Sequence, residues 1–317
     1  MKVLVTGGTG YLGSALVGGL ARAGHEPIVF ARRATASTLP GTLVDGDVRD
    51  AQALSDAVRG ADAICHAAAL VSAWRPRAAD FDETNIGGLE HAIAACRTHG
   101  IPRLVYTSSF LALPPADRAA PLTANDYQRT KVAALDVARR AAAAGAPIVT
   151  LFPGVVYGPG PATEGNLIGR LLLDHFERRL PGVIGADRPW SFSFVDDVVA
   201  AHVAALTRTP AGSEHVIGGA NATQMEVFAL AVRARGGRLP RRIPFPVATA
   251  LAAIDEARTA LTGRTPLLTR GVVEIFRHDW ALDGAASRLA LGHAETPLEA
   301  GIAATLASLP GNTPGRP

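Results

Sequence analysis

Lysine is almost absent from this 317-residue chain: among 31 basic residues only Lys2 and Lys131 are lysines, and arginine serves everywhere else. Cysteine is equally scarce. Cys65 and Cys96 are the only two, too few for a disulfide framework and without the close spacing or clustered histidines of a metal site. No metal is therefore expected, and a reducing cytoplasm is the expected compartment. A surplus of charge is missing as well: 28 acidic residues stand against 31 basic ones, a net +3 with no Lys/Arg run, so nucleic acid finds no electrostatic footprint. The expected partners are a small-molecule substrate or a second copy of the chain. Long hydrophobic runs are lacking too. The most apolar late stretch, PFPVATALAAIDEARTAL at 244–261, is broken by Asp255, Glu256 and Arg258 and falls short of the ~18 apolar residues of a transmembrane segment. It reads as a packing helix, with contact at a membrane surface as the second choice. No charged leader precedes the first strand, KVLVT, so no signal peptide is expected.

What is present is a 48% hydrophobic composition, enough for a soluble globular protein with one large core and a smaller lobe. Short β-branched runs (KVLVT, PIVFA, TLVDG, DAICHA, RLVYTS, PIVTLF) alternate with helical stretches at 11–23, 50–59, 78–98 and 124–144. That alternation predicts an α/β fold, a doubly wound parallel sheet whose strands are buried on both faces. After about residue 155 the pattern loosens into loops, helices and short strands. Residues 1–155 are expected to form a dinucleotide-binding domain to which segments near 190–217 return. The remainder of 156–317 is expected to form a smaller α+β substrate lobe.

The first strand runs straight into TGGTGYLG, where Gly7, Gly10 and Gly13 fall three apart before a helix. Glycines at that spacing allow a tight turn, close backbone approach to a pyrophosphate, and close packing of helix on strand, with the phosphates at the helix N-terminus. Thr9, Tyr11 and Leu12 share the same loop and are expected cofactor contacts. At the end of the second strand, Ala31, Arg32 and Arg33 stand where an NAD site would offer Asp or Glu to the ribose 2′-hydroxyl. Arginine there suits a 2′-phosphate, so NADP is the expected cofactor and NAD the alternative. Asp47 and Val48 follow the third strand and are placed beside the adenine, although an acid at a helix N-terminus would explain Asp47 equally.

The lone internal lysine lies in NDYQRTK. Tyr127 and Lys131, at i and i+4 on one helix, project from one face, and roughly one chain in thirty of this composition would hold such a pair by chance. The preceding strand ends in YTSS, bringing Ser109 to the carboxyl edge of the sheet, where open α/β folds bind ligands. A nearby ammonium is expected to lower the phenol pKa, bringing an acid/base group toward working pH. A planar guanidinium would not fit the same place.

These residues resemble the extended short-chain dehydrogenase/reductases, within the NAD-dependent epimerase/dehydratase superfamily and its dihydroflavonol-reductase-like branch. The marks are TGGTGYLG, GDVRD, HAAA at 66–69, NIGG at 85–88, YTSS, YQRTK, FPGVVYGPG at 152–160, FVDDVV at 194–199 and LGHAETPLEAGI at 291–302. The resemblance implies a Rossmann sheet, Tyr127 as acid/base, Lys131 on the nicotinamide ribose, and Ser109 on the substrate oxygen. It also implies Ala67 to Ala69 and Pro153 against the cofactor, and Asn85 bracing the strand edge or capping a helix. It further implies a homodimer through helices 78–98 and 124–144. One departure is Leu151, where relatives often carry an arginine. An NADPH-dependent ketone or aldehyde reductase is the expected activity, since TSSFLALPP lacks the acidic pair of dehydratases and Arg32 suits NADP. A nucleotide-sugar epimerase holding NAD is the alternative, with Arg170, Arg178, Arg179 and Arg188 as diphosphate contacts. A non-catalytic nucleotide sensor is the third reading, opposed by the intact Ser109, Tyr127 and Lys131. Trp74, Phe110, Leu111, Leu113, Trp190, Phe192 and Phe194 are expected to line an apolar substrate site, with about half of them ordinary core.

Overall fold

The computed structural model describes residues 1–310, so residues 311–317 of the expected C-terminal lobe lie outside the described residues. Six strands form in the first half: β1 (Lys2–Thr6), β2 (Glu26–Ala31), β3 (Thr42–Asp45), β4 (Ala63–His66), β5 (Leu104–Thr107) and β6 (Ile148–Pro153). Six more follow: β7 (Val155–Tyr157), β8 (Val183–Ile184), β9 (Pro189–Phe194), β10 (Glu214–Ile217), β11 (Ala220–Thr223) and β12 (Arg242–Ile243). The main sheet runs β3-β2-β1-β4-β5-β6-β10, parallel throughout. Strand order reverses between β1 and β4, which opens a crevice at their carboxyl ends.

Burial on both faces explains the unbroken apolar strands. Successive residues of β1 enter opposite layers. Val3 and Val5 pack with Leu16, Leu20 and Val198 on one side, while Leu4 packs with Phe30, Leu54 and Leu89 on the other. Each such side chain contributes roughly 1.5–3 kcal/mol of hydrophobic stabilisation. The first layer rests on the helices Tyr11–Arg22 and Val195–Ala205, and the second on Ala51–Ala57, Gly88–His99 and Asp126–Ala143.

The expected continuous helix over 78–98 is interrupted. Its middle, Asp82–Gly87, is a π-helix between a short α-turn and Gly88–His99. The wider turn carries Asn85 inward, 2% exposed, where its Oδ1 accepts from Leu70 N–H at 2.7 Å and its Nδ2 donates to Thr130 Oγ1 at 2.9 Å. Asn85 therefore ties the loop after β4 to the helix bearing Tyr127 and caps no helix. Such a bulge in a helix commonly marks a functional site.

Beyond β6 the chain builds a three-stranded sheet, β11-β9-β7, and a two-stranded one, β12-β8. Helices Leu167–Phe176, Gln224–Arg235 and Leu298–Ser308 close over an aromatic core that includes Tyr157, Phe192, Phe228 and Trp280. The segment Arg270–Phe276 abuts the entry to the Tyr127 helix so closely that a Cβ on Gly271 would stand 2.1 Å from Ala124 O.

Candidate active site

The glycine loop is shaped by contacts that only hydrogen side chains permit. Gly7 has φ +69°, and a Cβ there would stand 2.7 Å from the Cα of Ala68. A Cβ on Gly13 would stand 2.1 Å from Gly7 O. The loop closes through Gly10 N–H to Gly7 O at 2.9 Å, and the helix that follows starts with neither a side-chain cap nor an acid in its first turn. Its N-terminal N–H groups thus face the crevice with the helix dipole behind them, an arrangement suited to phosphate. Thr9 is exposed and Leu12 half-buried. Tyr11 is buried, its ring packed against Gly158 and Gly160 of the loop at 158–165. Thr6 Oγ1 accepts from Ala68 N–H at 3.3 Å and pairs with His66 Nδ1 at 3.0 Å, which fixes Ala67 to Ala69 beside Gly7.

At the end of β2, Ala31 is buried and Arg32 and Arg33 are exposed. Among the described residues neither arginine takes a hydrogen bond or salt bridge through its side chain, although the Arg32 charge reaches Asp47. Asp47 itself is held below the usual carboxylate range, first by its hydrogen bond from Arg49, with Nη2 to Oδ2 at 2.7 Å. The helix-cap role belongs to Asp50, whose Oδ1 accepts from Gln52 and Ala53 N–H at 3.0 Å each. Val48 is buried, and its carbonyl accepts from His91 Nδ1 at 2.8 Å. These features fit a dinucleotide: glycine close approach and an uncapped helix for the pyrophosphate, and two unpaired arginines with no competing carboxylate at position 31.

Ser109, Tyr127 and Lys131 meet at the carboxyl end of β5. Asn125 caps the helix, its Oδ1 accepting from Gln128 N–H at 2.9 Å, and this sets Tyr127 in the first turn. Ser109 Oγ accepts from Leu111 N–H at 3.2 Å, and its hydroxyl also lies in hydrogen-bonding reach of the Tyr127 phenol. Lys131, 3% exposed, donates from Nζ to Thr107 O at 3.2 Å, with Nζ 6.0 Å from the centre of the Tyr127 ring.

The expected lowering of the phenol pKa is reversed. Burial pushes Tyr127 up to about 12, against a smaller downward pull from its hydrogen bond with Ser109, while the Lys131 ammonium, 6.0 Å from the ring centre, donates to Thr107 O. Burial also pulls the Lys131 ammonium down to about 8.

Further supports come from residues that sequence reasoning passed over. Gln128, fully buried, accepts from Ala124 N–H at 3.1 Å and donates to Leu111 O at 3.3 Å, joining the Ser109 turn to the Tyr127 helix. His202 donates from Nδ1 to Val198 O at 2.7 Å, so its Nε2 accepts from Thr107 Oγ1 at 2.8 Å. Burial holds this imidazole down to about 4, hence neutral. Gln128 lies next to Tyr127 in sequence, but its bond to Leu111, 17 residues back, is what ties the two elements together.

The apolar set divides. Trp190, Phe192 and Phe110 are 4%, 2% and 6% exposed, and Phe110 packs edge-on against Trp190 and Trp280 at 5.9 and 5.3 Å. Leu111 and Phe194 are buried in the same core, and Leu113 packs with Leu135 and Phe152 instead. Trp74 is half-buried in the loop after β4, where Arg75 meets Glu164 of the 158–165 loop at 3.7 Å. Pro153 ends β6, buried. Leu151 fills the core beneath β6 with Val198 and Ile217. Arg170 and Arg179 are engaged with Asp174, and Arg188 with Asp279.

The fold and this crevice define an NAD(P)-dependent enzyme of the extended short-chain dehydrogenase/reductase type. Residues 3–218 match the model of the NAD dependent epimerase/dehydratase family, and the chain belongs to that family. It is 32% identical over 226 residues to a 2-alkyl-3-oxoalkanoate reductase of Stenotrophomonas maltophilia, covering 67% of each chain. It is 28% identical over 325 residues to sterol demethylase protein B of Methylococcus capsulatus, covering 97% of this chain and 98% of the other. The solved structure of MoeE5 in complex with UDP-glucuronic acid and NAD superposes with a TM-score of 0.76 at 26% identity, over 98% of this chain and 100% of that one. Among the described residues no helix is long and apolar enough to cross a membrane, and no group of His, Cys, Asp and Glu could hold a metal.

Proposed function

We propose that the protein is an NADPH-dependent reductase that converts the carbonyl of an apolar substrate to an alcohol. The observation that carries this reading is the end of β2, with Ala31 in place of an acid and Arg32 and Arg33 unpaired. Arg170, Arg179 and Arg188 are engaged by carboxylates, which leaves only Arg178, exposed and among the described residues without a salt bridge, of the four arginines a nucleotide-sugar diphosphate would use. A relative named for reducing an oxoalkanoate supports an aliphatic ketone.

The bound nicotinamide would supply the hydride to the carbonyl carbon. Ser109, held in place by the hydrogen bond its Oγ accepts from Leu111 N–H, would donate its O–H to the substrate oxygen. Tyr127, protonated at neutral pH, would deliver its proton to that oxygen as negative charge develops there. Lys131 would present its ammonium to the ribose hydroxyls and to the phenolate left on Tyr127. Ser109→Ala is expected to lower kcat by less than Tyr127→Phe does, because a positioning donor is lost while the proton source remains. A larger loss than in the tyrosine variant would reverse the two roles. A homodimer would form on the shallow groove where Ile93 and Ala94 lie beside Val137 and Ala141.

Cofactor choice is the test. Wild type is expected to bind NADPH more tightly than NADH by about 1.5–3 kcal/mol for one charged hydrogen bond, roughly ten-fold to over a hundred-fold. The preference should shrink as salt rises, since both arginines are solvated. Ala31→Asp with Arg32→Ala should turn it toward NADH in calorimetric titrations. Equal affinities in wild type, or NADPH left unoxidised across a panel of ketones and aldehydes while nucleotide sugars are epimerised, would overturn the reductase in favour of the epimerase.

A further inference from the structure

The helix Phe245–Thr262 is turned the wrong way round for a packing helix. Its buried positions are Ala248, Ala252 and Thr259, and the two alanines sit against Val273 with Ile184, Ile243 and Leu268 around them. Phe245 packs inward beside them, but the other larger apolar residues point to solvent: Val247 and Leu251 are each 49% exposed, Ile254 66% and Leu261 88%. With Arg258 these follow at spacings of four and three, so they form one stripe along the helix. Leu267, in the return segment, is 90% exposed. Amphipathic helices bury their large apolar residues and expose small or polar ones, so an outer face of this size calls for an apolar cover.

Charge around the stripe points to the nature of that cover. The helix has two acids, and both are consumed by the return segment. Asp255 accepts from the N–H groups of Leu267 and Leu268 and pairs with Arg258 at 2.6 Å. Glu256 accepts from Arg270 N–H at 2.8 Å and from its Nε at 2.6 Å. Arginines stand at both ends: Arg238 and Arg241 precede the helix and Arg264 follows it, all exposed and, among the described residues, without a salt bridge. A second copy docked across a two-fold axis would bring this basic fringe against itself. An anionic lipid surface would meet it with opposite charge.

We infer that Phe245–Thr262 is an interfacial helix that lays its Val247–Leu261 stripe and Leu267 into the surface of a bilayer containing anionic lipid, without spanning it. Apolar insertion supplies the contact, and Arg238, Arg241 and Arg264 add attraction to headgroups. The inference stands independently of the reaction catalysed.

The test is flotation of the full chain with vesicles of phosphatidylcholine alone and of phosphatidylcholine with phosphatidylserine. Binding is expected on the mixed vesicles, weaker on the neutral ones, and falling with salt. Ile254→Glu with Leu261→Glu should weaken it by at least about ten-fold. Both positions face solvent, so thermal midpoint and cofactor affinity should match wild type. No binding to the mixed vesicles overturns the inference. So does a concentration-dependent dimer that the same double variant dissociates in light scattering, which would give this face to a second copy.

Discussion

Tyr127→Phe is expected to lower turnover with a ketone by about 10²–10⁴, the usual loss when a general acid is removed. Tyr127 sits in the first turn of a helix held by the Asn125 cap, and the substitution removes one oxygen from a half-buried ring. The helix should therefore stand, and NADPH affinity should change little. Because burial holds the phenol up at about 12, it stays protonated through neutral pH, as a proton donor to a nascent alkoxide must. Loss in kcat with KM and cofactor binding near wild type would identify an interaction made in the transition state. Near-normal turnover would remove Tyr127 from the chemistry, and an equal fall in cofactor affinity would make it a structural residue of the ribose site.

Much of this site is legible in the sequence because its determinants are local. TGGTGYLG carries its own geometry, since close approach leaves no room for a Cβ at Gly7 or Gly13. Tyr127 and Lys131 share a face by helical period alone. The inner strands of the main sheet are legible for a related reason: burial on both sides leaves β1, β4, β5 and β6 largely apolar, whereas the edge strands β3 and β10 are part-exposed and mixed in character.

What the sequence leaves open depends on partners far along the chain. Asn85 carries no local sign that a π-turn will carry it onto Leu70 and Thr130, 15 and 45 residues away. Nothing near Thr107 announces His202, 95 residues on. Core and lining aromatics look alike in one dimension, so Phe110 and Trp190 could be divided from a substrate site only once Trp280 was placed beside them. The direction of the Tyr127 shift failed for the same reason. Proximity of Lys131 in sequence suggests a stabilised phenolate, whereas burial of the ring decides the sign.

Lys131→Met is expected to give a protein that is inactive yet more stable at neutral pH. Lys131 is 3% exposed, and among the described residues its ammonium has one hydrogen bond, to Thr107 O at 3.2 Å. Burial therefore costs the charged form more than its contacts return, which is why the folded group titrates near 8, below the ordinary 10.5. Below about pH 8 both folded and unfolded chains carry the proton, and the burial penalty on stability is present in full. Between about 8 and 10.5 the unfolded chain binds a proton that the folded chain has released, so stability from this group rises with pH. Methionine keeps an apolar stem beside the Tyr106 ring, 5.6 Å from Nζ, and removes the charge. A gain of about 1–3 kcal/mol at pH 7 is expected, shrinking toward zero as pH approaches the unfolded value, in denaturant titrations of the cofactor-free protein. Turnover should be lost because no ammonium remains for the ribose hydroxyls or the phenolate. Lys131→Arg separates charge from shape: the planar fork keeps the charge but does not fit the ammonium's place, so activity and cofactor affinity should both fall. Wild-type turnover in the arginine variant would reduce Lys131 to a generic cation. A methionine variant less stable than wild type at pH 7 would show that its contacts outweigh the cost of burial.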